Sequence, residues 1–157
     1  MHALLQTAIS HHQANRLDEA EQLYQAVLST DPDQADALHL LGVVANQRGQ
    51  HARAVELIGQ ALRLRPETAA FHLNLGEAYR AAGDLARAAE HGRHALRLQP
   101  QNAEAHNSLG LALQQQGNVD EAAAHFKAAL EQKPQWPASY LNLGQLRSEE
   151  RRVGKEC

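Results

Sequence analysis

Phe71-His72-Leu73-Asn74-Leu75-Gly76 and, one step of 34 residues later, Ala105-His106-Asn107-Ser108-Leu109-Gly110 share histidine, leucine and glycine at the same places. Outward from that pair the register extends along the chain. Leu41, Leu75, Leu109 and Leu143 form one row, and Gly42, Gly76, Gly110 and Gly144 form the next. Pro32, Pro66, Pro100 and Pro134 keep the same step, as do Ala20, Ala54, Ala88 and Ala122, and Leu28, Leu62, Leu96 and Leu130. Five rows in phase without an insertion define a repeat, and a fixed period in this range is the signature of a solenoid.

Residue chemistry gives each unit a helical hairpin. Glycine beside the leucine, inside a first helix A, costs about 1 kcal/mol of helix propensity, so close approach of a second helix must offset it. Gly49, Gly83 and Gly117 follow at the end of helix A. Glycine there accepts the left-handed conformation that ends a helix, and Asn15, the next-best residue, stands at that place in the first unit. Asp18 and Asp120 open helix B, where an acid complements the helix dipole. The alanine row is small where helix B should cross helix A, and each proline marks the link onward.

Composition narrows the function. Hydrophobic residues make up 43% and charged residues 21% of the 157, which suits a packed fold rather than a disordered chain. Net charge is −3 with no basic stripe before residue 147, so nucleic acid is not expected as a partner. No apolar run approaches the roughly 20 residues that span a bilayer, and no secretory leader is visible, so neither a membrane nor export is expected and a cytoplasmic setting is the default. Cys157 is the only cysteine, which excludes an internal disulfide and a multi-cysteine zinc site.

These rows resemble the tetratricopeptide repeat, whose pattern has a small residue at position 8, Ala at 20, an aromatic at 24 and Pro at 32. The units are then 1–34, 35–68, 69–102, 103–136 and a partial 137–146. The resemblance implies an all-α, right-handed superhelical solenoid of four full helix-turn-helix units plus helix A of a fifth: nine helices and no strand. Gly92 stands where position 24 calls for a bulky side chain. It implies either a small void or closer helices, and Gly92→Ala, which removes a helix-interior glycine and partly fills the position, is expected to gain up to about 1 kcal/mol.

In this family the inner faces of the A helices line a concave groove. On that frame the candidate peptide-binding residues are His39, Asn46, Asn74, Glu77, Arg80, Asn107, Gln114 and Asn142. Amides both donate and accept, so a row of them suits the backbone of an extended peptide. The units around His72 and Ala103–Gly110 look most like the repeats fused to O-linked N-acetylglucosamine transferases and to similarly arranged bacterial glycosyl- or sulfotransferases. Those repeats carry an asparagine ladder, which Asn74 and Asn142 match, Leu40 breaks and Ser108 weakens. Arg80 is the one basic candidate among the inner positions, so a clamp for an acidic C-terminus is not expected.

Two roles follow: a scaffold that binds a peptide or a partner helix, and the substrate-recruiting front of a larger transferase. Neither makes this chain an enzyme by itself, and no catalytic residue, metal or cofactor is expected. Nucleophile elbows and phosphate loops are absent. His91 and His94, three apart on one helix, lack a third ligand and read as a solvated surface pair. His72 and His106 read as packing between repeats or as groove lining. After Leu146 the pattern stops, and residues 147–157 form a charged tail. That tail resembles a read-through segment found where an open reading frame runs into foreign DNA; a solvated helix end is the alternative.

Overall fold

The computed structural model describes residues 2–156. Met1 and Cys157, on which the first unit's start and the lone-cysteine reading fall, lie outside the described residues. Nine α-helices and no strand are present among the described residues: α1 (His2–Gln13), α2 (Leu17–Thr30), α3 (Ala35–Gln47), α4 (His51–Leu64), α5 (Ala69–Ala81), α6 (Leu85–Leu98), α7 (Ala103–Gln115), α8 (Val119–Gln132) and α9 (Pro137–Glu156). Odd-numbered helices are the A helices and even-numbered ones the B helices.

Each hairpin turn is built alike. Asn15 has φ 57° and Gly49, Gly83 and Gly117 have φ 76°, 87° and 84°, the left-handed backbone expected from the sequence. The residue after each sends its N–H five residues back: Arg16 to His11 O, Gln50 to Ala45 O, Asp84 to Tyr79 O and Asn118 to Leu113 O, all at 2.9 Å. Four otherwise unpaired carbonyls are thereby satisfied. Side-chain caps close the opposite ends at Gln34 for α3, Asp84 for α6 and Asn102 for α7. Asp18 and Asp120 stand in the first turns of α2 and α8 without a capping bond, so their contribution is to the helix dipole.

The leucine–glycine row sits where helix A meets helix B. A Cβ at Gly42 would lie 2.5 Å from Ile58 Cγ1, and one at Gly110 would lie 2.6 Å from Phe126 Cε1. Bulky position-24 residues therefore rest directly on position-8 glycines. The third unit solves the contact differently. A Cβ at Gly76 would come 3.1 Å from Ala88 O and 3.5 Å from Gly92 N, so α5 and α6 approach backbone to backbone. On its other side Gly92 faces α7: an added Cβ would meet Leu109 Cβ at 3.1 Å and Leu109 Cα at 3.4 Å. There is no void at Gly92. The stabilisation expected for Gly92→Ala does not fit this geometry, because the nearest obstruction, Leu109 Cβ, is fixed to the backbone of α7.

The core is a row of small clusters, not one centre. Tyr24, Val27, Leu41 and Val44 hold the first units together; Ile58, Phe71 and Leu75 join α4 to α5; Leu109, Leu113, Phe126 and Leu146 hold the last. Neighbour-only packing of this kind is what makes a solenoid a sum of repeat and junction energies. α9 continues as one helix through the charged tail. Its Gly144 has nothing within 4 Å of a would-be Cβ, and Tyr140 and Leu141 are exposed; among the described residues no helix B packs on it.

Candidate functional site

Successive A helices α3, α5, α7 and α9 touch along one edge of the stack, with B helices on the other. Side chains at positions 5 and 6 of the units meet across these junctions. Asn74 Nδ2 donates to His39 Nε2 at 2.7 Å, and Asn142 Nδ2 donates to Asn107 Oδ1 at 2.9 Å. Ser139, fully buried, adds a second donor to Asn107 Oδ1 at 3.1 Å. In the first junction His12 Nε2 and Gln47 Oε1 pair at 3.0 Å. The inner face is therefore a seam of inter-repeat hydrogen bonds.

His39 is 7% exposed and stacks on Phe71 with ring centroids 4.4 Å apart. Burial holds it well below the usual imidazole range, at about 4; Asp36 pulls upward, while Arg65 and His12 push further down. Its ring is neutral at physiological pH, and Nε2 is the lone-pair end that accepts from Asn74. Glu77, on the same face of α5, is raised by burial above the usual carboxylate range; Arg80 and the Ser108 hydroxyl lower it, and Glu104 raises it. Arg80 Nε is buried and has no acceptor among the described residues.

The sequence candidates are thus sorted. His39 with Asn74, and Asn107 with Asn142, are brought together in bonded pairs. Glu77 and Arg80 share one turn. Asn46 turns instead toward the start of helix B, where its Oδ1 meets His51 Nδ1 at 2.7 Å. Gln114 is half-buried at the end of α7. Asn74 and Asn142 are half-buried and bonded across the junctions rather than free on the surface. Ser139 and the pairing of His12 with Gln47 were missed. Their signal is a spacing of one repeat plus or minus a few residues, invisible when only identical positions are compared.

The histidine readings are corrected. His91 and His94 are not a solvated pair. His91 Nδ1 lies 3.0 Å from His72 Nδ1, and its ring stacks on Tyr79 at 5.5 Å; His94 stacks flat on His72 at 4.0 Å. His72 Nε2 donates to Pro66 O at 2.8 Å, so its Nδ1 is the acceptor of the pair. His106 repeats the arrangement with His125 at 2.9 Å and Pro100 O at 3.0 Å. Position 4 therefore ties helix A to its own helix B and to the preceding linker, not to the groove. Among the described residues no group of three or more His, Cys, Asp or Glu is placed to hold a metal ion, and no helix is long and apolar enough to cross a membrane.

The fold and this seam define the class: an α-solenoid with a polar inner face. The sequence matches the tetratricopeptide repeat family over residues 47–103 and 93–139, and a second profile of that family covers 11–73. The chain belongs to the tetratricopeptide repeat family. No curated protein matches the sequence at a significant level. Among solved structures it is similar to MamA, with 23% identity, TM-score 0.79, and 91% of this chain and 84% of that chain covered. It is similar to the Thermobaculum terrenum O-GlcNAc transferase K341M mutant, with 30% identity and TM-score 0.79, over 82% of this chain but 25% of that one. YrrB, described as a TPR protein with an unusual peptide-binding site, aligns at 24% identity and TM-score 0.74 over 94% of this chain and 76% of its own.

Proposed function

We propose that the chain binds an extended peptide segment of a partner protein along the inner face of its A helices. The observation that carries this reading is the oriented amide pairs. With Asn74 Nδ2 committed to His39 and Asn142 Nδ2 to Asn107, each amide is held in one orientation. The Oδ1 and second N–H of each are left as a fixed acceptor and donor at one-junction-in-two spacing. Fixed polar groups bind better than mobile ones because less rotamer freedom is lost. The role is binding rather than turnover, in a cytoplasmic setting and without nucleic acid, in keeping with a net charge of −3.

The test is a random peptide library displayed against the purified chain, followed by affinity measurement on the peptides recovered. Asn74→Ala with Asn142→Ala should weaken a groove peptide by roughly tenfold, since each amide bond contributes only about 0.5–1.5 kcal/mol. The same changes should lower stability modestly, because each also removes an inter-repeat bond. Unchanged affinity would place the peptide elsewhere.

A second reading has its own support. A quarter of the Thermobaculum terrenum O-GlcNAc transferase chain aligns with this one at 30% identity, and Asn74 and Asn142 fit the asparagine ladder that the family resemblance implies. On that reading the chain recruits substrates for a transferase domain in a longer protein. The undisturbed coding sequence beyond codon 146 decides: a glycosyltransferase or sulfotransferase domain favours recruitment, and further repeats with a stop codon favour the scaffold.

A further inference from the structure

Helices α1, α3, α5 and α7 are each covered by their own helix B; among the described residues α9 is not. One side of α9 is settled, with Leu143 and Leu146 buried in the cluster of Leu113 and Phe126. Another side stands open. Gly144 holds the place of Gly42 and Gly110, which receive Ile58 and Phe126, yet a Cβ built on it meets nothing within 4 Å. Tyr140 holds the place of His72 and His106, which each reach a histidine of helix B, yet it is 57% exposed. Where Asn15, Gly49, Gly83 and Gly117 turn the chain back with positive φ, α9 has Arg151 and runs on as helix to Glu156. The described residues therefore do not fold back over this face.

The other units show what fits such a face. Helices α2, α4 and α8 each bury a small residue, a bulky one four places on and a small or branched one three further: Ala20, Tyr24 and Val27; Ala54, Ile58 and Ala61; Ala122, Phe126 and Ala129. That spacing sets all three on one helical stripe. Charge gives the second constraint. Gly144, Arg147, Ser148, Arg151 and Arg152 line a cleft of about 610 Å³, and no acid is among its lining residues. In an antiparallel hairpin the end of helix A lies beside the start of helix B. Helices α2 and α8 start with Asp18 and Glu19, and with Asp120 and Glu121. Arg48, at the end of α3, already pairs with Asp18 in the first turn of α2.

We infer that the open face of α9 docks an amphipathic helix of a partner protein, with acids in its first turn and a bulky residue between small ones at the helix-B spacing. The partner helix completes a fifth hairpin in trans. Its bulky side chain enters the Gly144 notch, and its acidic turn lies against Arg147 and Arg151. This surface is separate from the seam of Asn74 and Asn107, and the inference stands whether or not a peptide binds there. A second copy of the chain offers no free helix of this kind, because α2 and α8 are packed in their own hairpins.

The probe is a labelled peptide of residues 119–132 with blocked ends, which carries Asp120, Glu121, Ala122, Phe126 and Ala129 and so copies α8. It is titrated with the full chain by fluorescence anisotropy. Saturable micromolar binding is expected, weak because a short helix must be ordered as it docks. Phe126→Ala in the peptide should weaken it by roughly tenfold or more. Gly144→Leu in the chain should do the same by filling the notch, with helix content unchanged because the place is open. Arg147→Gln with Arg151→Gln should cost roughly fivefold and flatten the salt dependence. The notch belongs to the repeat and the arginines to the charged tail, so the two variants weigh the two contributions separately. Absence of saturable binding at millimolar peptide would overturn the inference. So would binding that survives Gly144→Leu, which would place the peptide on α7 by exchange with α8. Dimerisation in sedimentation that Gly144→Leu abolishes would assign the face to a second copy and overturn it equally.

Discussion

Units two and three place different chemistry on the same pair of sites. In the second unit Leu38 and Leu57, at positions 4 and 23, join one apolar cluster. In the third those positions are His72 and His91, and in the fourth His106 and His125, each pair bonded nitrogen to nitrogen. The backbone hardly registers the change. It supplies the linker carbonyl of Pro66 or Pro100 as acceptor for the outward N–H, so every polar atom that faces inward has a partner. A satisfied imidazole pair can replace a leucine pair where one carbonyl lies within reach. The condition is that both rings stay neutral, and the leucine unit has no such condition.

Acid tests that difference most strongly. Burial lowers His72, His91 and His125, with the neighbouring imidazole adding to the effect for His91 and His125, and it lowers His39 to about 4. A group whose folded value lies below its unfolded one contributes stability that is full above the unfolded value. That stability is lost as the pH falls from about 6.5 toward the folded value. His39 alone should contribute up to about 3 kcal/mol between pH 7 and pH 4, with the histidine pairs acting in the same direction. Glu77, raised in the fold, opposes them, because its protonation favours the native state. Urea melts at several pH values should show net destabilisation through this window; a flat profile would break the comparison.

A sharper test exchanges the chemistry. His72→Leu with His91→Leu rebuilds the leucine pair in the third unit. Its stability should change by less than about 2 kcal/mol at pH 7.5, in keeping with well-packed apolar replacements of polar pairs. The pH slope between 6.5 and 5 should become shallower than in wild type. An unaltered slope would place the proton sensitivity outside the pairs.

The smallest effects distinguish two helix-B glycines in the same two units. Gly59 has nothing within 4 Å of a would-be Cβ, so Gly59→Ala should stabilise by about 0.5–1 kcal/mol through helix propensity. Gly92 faces Leu109 at 3.1 Å. Overpacking of about 1–3 kcal/mol should outweigh the same gain, so that Gly92→Ala lowers the melting temperature. Equal shifts of the same sign at both sites would show that α7 yields easily.

The fold was legible because everything that sets it is local and recurs at one step: the leucine–glycine contact, the left-handed turn at Gly49, Gly83 and Gly117, and the small alanines of helix B. The candidate site was legible only by face. His39, Asn74, Asn107 and Asn142 do lie on the inner seam, yet their bonding runs from position 5 of one unit to position 6 of the next. Comparison of like positions passes over that offset. His72 lies at the margin between the inner face and helix B, where helical periodicity alone leaves two neighbours open. Gly92 was ambiguous for a related reason. An empty volume beside a glycine is filled or left according to how far the next repeat moves in, and no feature of a single repeat records that distance.

The two edges of the stack differ in what holds them. The inner edge is sewn by short hydrogen bonds such as Asn142 to Asn107. Between outer helices the described links are ionic: Arg53 to Glu21 at 2.8 Å and Arg93 to Glu121 at 3.0 Å, the latter pair about half exposed. In mechanical terms the molecule is a leaf spring with one stitched margin and one margin held by charges. Exposed pairs contribute at most about 1 kcal/mol each and weaken as the Debye length falls to about 3 Å in molar salt. Bending that fans the outer margin is therefore the soft deformation, and dissolved salt sets part of its stiffness. Small-angle scattering at low and high ionic strength would register this as a change in overall curvature at constant helix content.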